Sequence, residues 1–178
     1  MKTLPTILCG LLLLTCLGCQ PKMDEKIDFV EVRLHRWTAL EGGETVILRR
    51  IGNEWTATLI GDGHRFSCFY RRDVKPKNGE IGEVYDSLVR AGILELSGKE
   101  PHLGWEDGDG YELEVTSDGV ISQYSVFLAD KQQSANAKRM LEIGRIVSTP
   151  FDTPMFLPEY DRGAVGEYLI ENCKEFRR

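Results

Sequence analysis

The sequence predicts an α+β fold: one antiparallel sheet of about six strands, in the order β-β-β-β-α-β-β-α-α, with helices packed on one face. Three observations predict it. Apolar and polar residues alternate between Phe29 and Arg71, the spacing changes to three and four residues at Ile81, and "YELEVTSDGVISQYSVFL" returns to alternation around Asp118-Gly119. Consecutive strands with short links pair antiparallel, and strands that are not strictly interleaved with helices do not build a doubly wound sheet.

The elements follow in order. Val30, Val32 and Leu34 face one way and Glu31, Arg33 and His35 the other, the pattern of a half-buried strand. Strands from Glu44 to Ile51 and Glu54 to Ile60 are joined by Gly52-Asn53, residue types that accept the positive φ of a tight turn. Trp55, Ala57 and Leu59 share one face, and a second turn, "GDGH" at Gly61 to His64, leads into a strand from Arg65 to Arg71. Ile81, Val84, Tyr85, Leu88 and Val89 align on one side of a helix, with Asn78 as its N-cap and Gly92-Ile93 as its left-handed stop. A loop from Ser97 to Gly110 precedes the Asp118-Gly119 hairpin. Ser134 caps a second helix running through about Val147, which buries Ala137, Met140, Leu141, Gly144 and Val147. Pro150, Pro154 and Pro158 predict an extended segment, because proline disfavours helix in the residue before it. Val165, Tyr168, Leu169, Cys173 and Phe176 mark a last helix, and Trp37, Trp55, Phe66, Tyr85, Phe127 and Tyr168 are expected mostly in the core.

The stretch "LLLLTCLGCQPK" belongs to none of these elements. Lys2 precedes an apolar run from Ile7 to Leu17, the order of a secretory signal, and the run is far shorter than the roughly 20 residues a bilayer-spanning helix needs. The small-residue cleavage pattern of an ordinary signal has no candidate, since the first alanine is Ala39. Leu17-Gly18-Cys19 resembles the processing site of bacterial lipoprotein precursors, although Cys16 stands where such signals usually carry leucine. The resemblance implies a signal peptide over residues 1–18 and a diacylglyceryl thioether and further acylation on Cys19. It also implies a lipidated N-terminus and tether over 19–26 and a single α+β domain over 27–178. Two or three acyl chains anchor a protein stably where one does not. Gln20, rather than aspartate, after the cysteine implies the outer membrane over the inner by similarity to enterobacterial lipoproteins. The resemblance covers only the first twenty residues; the domain beyond them resembles no family.

The 178 residues carry 22 basic and 28 acidic side chains, a net charge of −6. Lys2 is the only charge before Cys19, so the portion after Gly18 is one unit more acidic, which argues against nucleic acid as the main partner. Beyond Cys19 only Cys68 and Cys173 remain; in an oxidising envelope they either close one disulfide or pack as two buried thiols.

Motifs of catalysis are missing. His35, His64 and His102 have no metal-binding spacing, and the chain contains no HExxH, CxxC, G-x-S-x-G or glycine-rich phosphate loop. Ser134 and Lys138 are one residue too far apart for S-x-x-K. Glu106, Asp107 and Asp109 supply the oxygen ligands a calcium ion wants, but without the spacing of a calcium loop they read first as a solvated loop. No catalytic residue, metal or cofactor is therefore predicted. Arg65, Arg71, Arg72, Lys75 and Lys77 form a basic run, either a patch for an envelope protein, lipid headgroups or anionic glycan, or a solvated sheet edge. Together these features predict an envelope lipoprotein with a binding or adaptor domain, the alternative being an envelope hydrolase whose active site carries no recognisable motif.

Overall fold

A computed structural model describes residues 28–38, 42–63, 68–101, 108–127, 131–157 and 162–175. Among them are seven strands: β1 (Phe29–Thr38), β2 (Gly42–Ile51), β3 (Glu54–Gly63), β4 (Cys68–Asp73), β5 (Gly98–Lys99), β6 (Asp109–Ser117) and β7 (Val120–Phe127). Three α-helices accompany them: α1 (Ile81–Arg90), α2 (Ala135–Phe151) and α3 (Arg162–Glu175). All seven strands form one sheet in the order β4-β3-β2-β1-β6-β7-β5, so the fold is a single-sheet α+β domain.

The first strand lies near the middle of the sheet. β1 pairs with β2 from Phe29↔Ile51 to Thr38↔Gly42 and with β6 from Val30↔Ser117 to Thr38↔Asp109. Every pairing is antiparallel except β5 with β7, which is parallel at Gly98↔Tyr124 and Lys99↔Ser125. The expected six-stranded antiparallel sheet is thus corrected to a mixed sheet of seven. A two-residue strand inside the Ser97–Gly110 segment is too short to show alternation. It is held instead by contacts distant in sequence, including Glu100 N–H to the Ser125 carbonyl at 3.0 Å and the Ser122 hydroxyl to the Leu96 carbonyl at 2.8 Å.

The β6–β7 turn takes positive φ at both Asp118 (52°) and Gly119 (82°), the geometry its residue pair favours. Helix α1 starts two residues later than expected: Glu80, not Asn78, is the N-cap, and its backbone N–H donates to the Glu83 carboxylate at 3.1 Å in a capping box. Ser134 caps α2 as its position predicts, accepting from the Ala137 N–H at 3.0 Å.

The proline-rich segment is not extended throughout. Helix α2 runs through Pro150 to Phe151 and stops only when Asp152 adopts a left-handed conformation. Burial of Val147 and Phe151, together with the Thr153 N–H donating to the Ser148 carbonyl and the Ser148 hydroxyl to the Thr153 carbonyl, holds this last turn against the proline. Pro154 then opens a 3-10 turn, Pro154–Phe156, where its missing N–H costs nothing. Phe66, Pro158 and Phe176 lie outside the described residues.

Helices and sheet share one core. Val32, Leu34, Val46, Leu48, Leu59, Leu113 and Val115 pack from the sheet against Leu88, Met140, Ile143, Val147, Phe156, Val165 and Leu169. Trp55 and Tyr85 sit at its margin, half-buried, with ring centroids 5.0 Å apart; they are less enclosed than expected. The opposite face of the sheet has no described helix upon it.

Candidate functional site

Because side chains alternate along a strand, the register fixes which residues share the uncovered face. One row across it runs Gln123, Glu114, Arg33, Ile47, Thr58 and Asp73; the next runs Lys99, Ser125, Glu112, His35, Thr45, Ile60 and Arg71. Arg33, His35, Thr45, Lys99, Glu112 and Gln123 line a groove of ≈ 710 Å³.

Local bonds hold part of this surface in place. Glu31 accepts from Arg33 Nε at 2.5 Å and from Arg49 at 2.5 Å, and the two arginines cover it so well that it is buried on an open face. Burial pulls the Glu31 carboxyl upward, but the hydrogen bonds and charges of Arg33 and Arg49 outweigh it and hold the group below the ordinary glutamate value. His35 Nδ1 lies 2.9 Å from Thr45 Oγ1, and Gln123 donates to Glu114 at 2.8 Å. The groove therefore offers cations, carboxylates, an amide and hydroxyls at fixed spacing. That is chemistry for binding a polar surface of mixed charge.

The covered face carries a second polar row, fully enclosed. Tyr111, Arg36, Glu44, Gly61 and Tyr70 are successive cross-strand neighbours. Gly61 makes the row possible: a Cβ there would stand 2.0 Å from the Tyr70 ring, which lies across the glycine so that its hydroxyl reaches Glu44 at 2.6 Å. Glu44 also accepts from the Tyr168 hydroxyl of α3 at 2.9 Å and from the Thr153 hydroxyl. Arg36 donates to the carbonyls of Met155 and Leu157 and pairs with Asp109 at 3.0 Å, while the Tyr111 hydroxyl donates to the Phe156 carbonyl at 3.2 Å. Glu44, Arg36 and Tyr111 thus strap residues 153–157 onto the sheet with four hydrogen bonds. Burial pushes the Glu44 carboxyl above its ordinary value despite three hydroxyl donors and the charge of Arg72, and it pushes the Tyr70 and Tyr168 hydroxyls up as well.

The residues singled out in the sequence are dispersed. Arg71 lies on the open face and Arg72 on the covered one, toward Glu44 and Tyr168; Lys75 lines a shallow pocket of ≈ 380 Å³ beside Trp55; Lys77 pairs with Asp152 at 2.8 Å. The basic run therefore does not present itself as one surface. Asp109 stands at the start of β6 as the partner of Arg36. No group of three metal-ligating side chains occurs among the described residues. Cys68 on β4 and Cys173 on α3 are joined in a disulfide with Cα atoms 6.1 Å apart. Cys19, His64, Arg65, His102, Glu106 and Asp107 lie outside the described residues.

Sequence reading passed over Arg36 and Glu44, although a signal was there. Continuing the inward phase of Val30, Val32 and Leu34 leads to Arg36, and continuing that of Leu48 and Val46 leads to Glu44.

No family model matches the chain. Over 111 residues, 57% of its length, the chain is 27% identical to a gamma-glutamyl phosphate reductase of Rhodopirellula baltica, and the match covers 26% of that protein. The chain thus spans about a quarter of the curated relative it matches. Among solved structures, that of the cowpox virus protein CPXV018 (OMCP) aligns over 85% of this chain and 99% of its own, at 11% identity and a TM-score of 0.21.

Proposed function

We propose that this chain is a bacterial cell-envelope lipoprotein, anchored in the outer membrane through acylated Cys19, whose domain binds an envelope protein along its open sheet face. The observation that carries the reading is the Cys68–Cys173 disulfide, a cross-link that persists in an oxidising space and accords with an exported chain. No helix among the described residues is long and apolar enough to cross a membrane. The attachment in this reading is the lipid on Cys19, where two or three acyl chains would hold stably. Binding is preferred to hydrolysis because Glu44, a carboxyl displaced upward by burial, is sealed beneath residues 153–157, away from the groove. Both charge signs line that groove, which suits a protein surface better than a uniformly anionic glycan.

Intact mass of the protein extracted from its own membranes tests the anchor. The expected mass begins at Cys19 with acyl chains added, and Cys68 and Cys173 react with an alkylating reagent only after reduction. An unlipidated mass overturns the anchor. Pull-down from detergent-solubilised envelopes tests the groove. Exchanging Lys99→Glu and Glu112→Lys, both exposed, is expected to abolish recovery of the partner; undiminished recovery removes the groove from the reading.

A further inference from the structure

We propose that the two hairpin tips beside the start of β1 insert into the bilayer that holds the anchor. The inference rests on the lipid-anchor reading above and adds the surface that meets the membrane. Six large apolar side chains are exposed among the described residues, and three of them, Ile51 (53%), Val120 (70%) and Ile121 (62%), gather at one end of the sheet. Ile51 ends β2 and pairs with Phe29; Val120 and Ile121 begin β7. Backbone hydrogen bonds bring both tips to the same place: the Gly52 N–H donates to the Asp28 carbonyl at 2.9 Å, and the Asp118 N–H to the Phe29 carbonyl at 3.2 Å.

That place is where the chain arrives from Cys19. Eight residues lie between Cys19 and Asp28, a stretch that at full extension reaches at most ~30 Å. An anchored domain therefore holds this end within ~30 Å of the headgroups, and burial of an exposed isoleucine or valine side chain would favour the orientation that seats the tips. The opposite end of the sheet lies about 26 Å farther along the strands. Asp28, Glu54 and Asp118 stand around the tips with Arg50, which is paired to Asp28 at 2.7 Å. This acidic balance points to apolar insertion rather than attraction to anionic lipid, so added salt is expected not to weaken the contact.

The test uses the full lipidated protein in vesicles of phosphatidylethanolamine and phosphatidylglycerol. An environment-sensitive fluorophore is placed at Ile121→Cys or, as a control at the far end, at Phe69→Cys, which is 67% exposed. Nitroxide-bearing phospholipid is expected to quench the label at 121 several-fold more than that at 69, and Ile51→Glu is expected to abolish the difference. Equal quenching at the two positions, with the protein still vesicle-bound, overturns docking and leaves the anchor standing. Protein that fails to bind vesicles and lacks the acyl mass overturns both. A label at 121 shielded from water in detergent, in a particle of twice the mass, assigns the tips to a second copy of the chain and also overturns docking.

Discussion

Replacing Cys68 and Cys173 together by alanine is expected to lower the unfolding free energy by about 4–5 kcal/mol, because the bond closes a loop of 105 residues whose ends the unfolded chain would otherwise rarely bring together. The magnitude is that of the chain-entropy account, in which the loss grows slowly with loop length. The bond ties an edge strand, β4, to the last helix, and both are the peripheral pieces of the fold. β4 pairs only with β3 among the described strands. Helix α3 rests on buried Val165 and Leu169 and on the Tyr168 hydroxyl. Without the bond these two pieces are expected to open first, seen as faster amide exchange over 162–175 than over β1. Urea denaturation of the alanine pair beside the oxidised wild type checks the magnitude. A loss below about 1 kcal/mol would show that β4 and α3 are already fastened by packing alone.

How far the fold could be read in advance depended on where its information is stored. The Asp118-Gly119 hairpin, the Ser134 cap and the apolar face of α1 were legible because each is written in adjacent residues: a pair that accepts positive φ, a hydroxyl before a helix, a three-and-four spacing. β5 was not, since two residues carry no period and only Tyr124 and Ser125 place them. The end of α2 was misjudged for a related reason. The local rule against helix before Pro150 is real, but buried Phe151 and the bonds between Ser148 and Thr153 override it. Cys68 and Cys173 could be paired or unpaired on sequence alone, as nothing local states that β4 and α3 meet.

The candidate site divides the same way. That Glu31, Arg33 and His35 point outward follows from alternation. That they stand beside Glu114, Glu112, Thr45 and Arg49 follows only from register, which places β6 on one side of β1 and β2 on the other. The basic run shows the converse case. Arg71 and Arg72 are neighbours in sequence, and a strand puts neighbours on opposite faces, so one meets solvent and the other the buried acid. The two faces of the sheet consequently have separate tasks. Polar groups on the open face bond to one another and line the groove, whereas those on the covered face fasten the 153–157 segment and α3.

Glu44 should govern how stability varies with pH on the alkaline side, and Glu44→Gln is expected to flatten that side. Burial raises the folded-state value of Glu44 above the ordinary 4.5, so the folded protein holds this proton more tightly than the unfolded chain. The stabilisation it contributes is then fully present below 4.5 and is lost as pH rises through the folded-state value. Glu31 has the opposite sign: its folded-state value lies below 4.5, so its contribution is present above 4.5 and lost as pH falls through the folded-state value. Considered as a pair, the two acids place their combined optimum near 4.5, with Glu31 setting the acid limb and Glu44 the alkaline one. Glutamine at 44 keeps an oxygen for Tyr70 and Tyr168 and can donate to the Thr153 hydroxyl, but it has no proton to lose. Alanine leaves three buried hydroxyls without their acceptor and is expected to cost about 3–5 kcal/mol. Urea denaturation at a series of pH values from 4 to 8 separates these effects. Wild type should weaken across the alkaline limb, the glutamine variant should not, and the alanine variant should be weak throughout. A glutamine variant with the wild-type slope would place the titrating group elsewhere, whereas a flattened slope with little loss at low pH identifies Glu44 as the proton the fold retains.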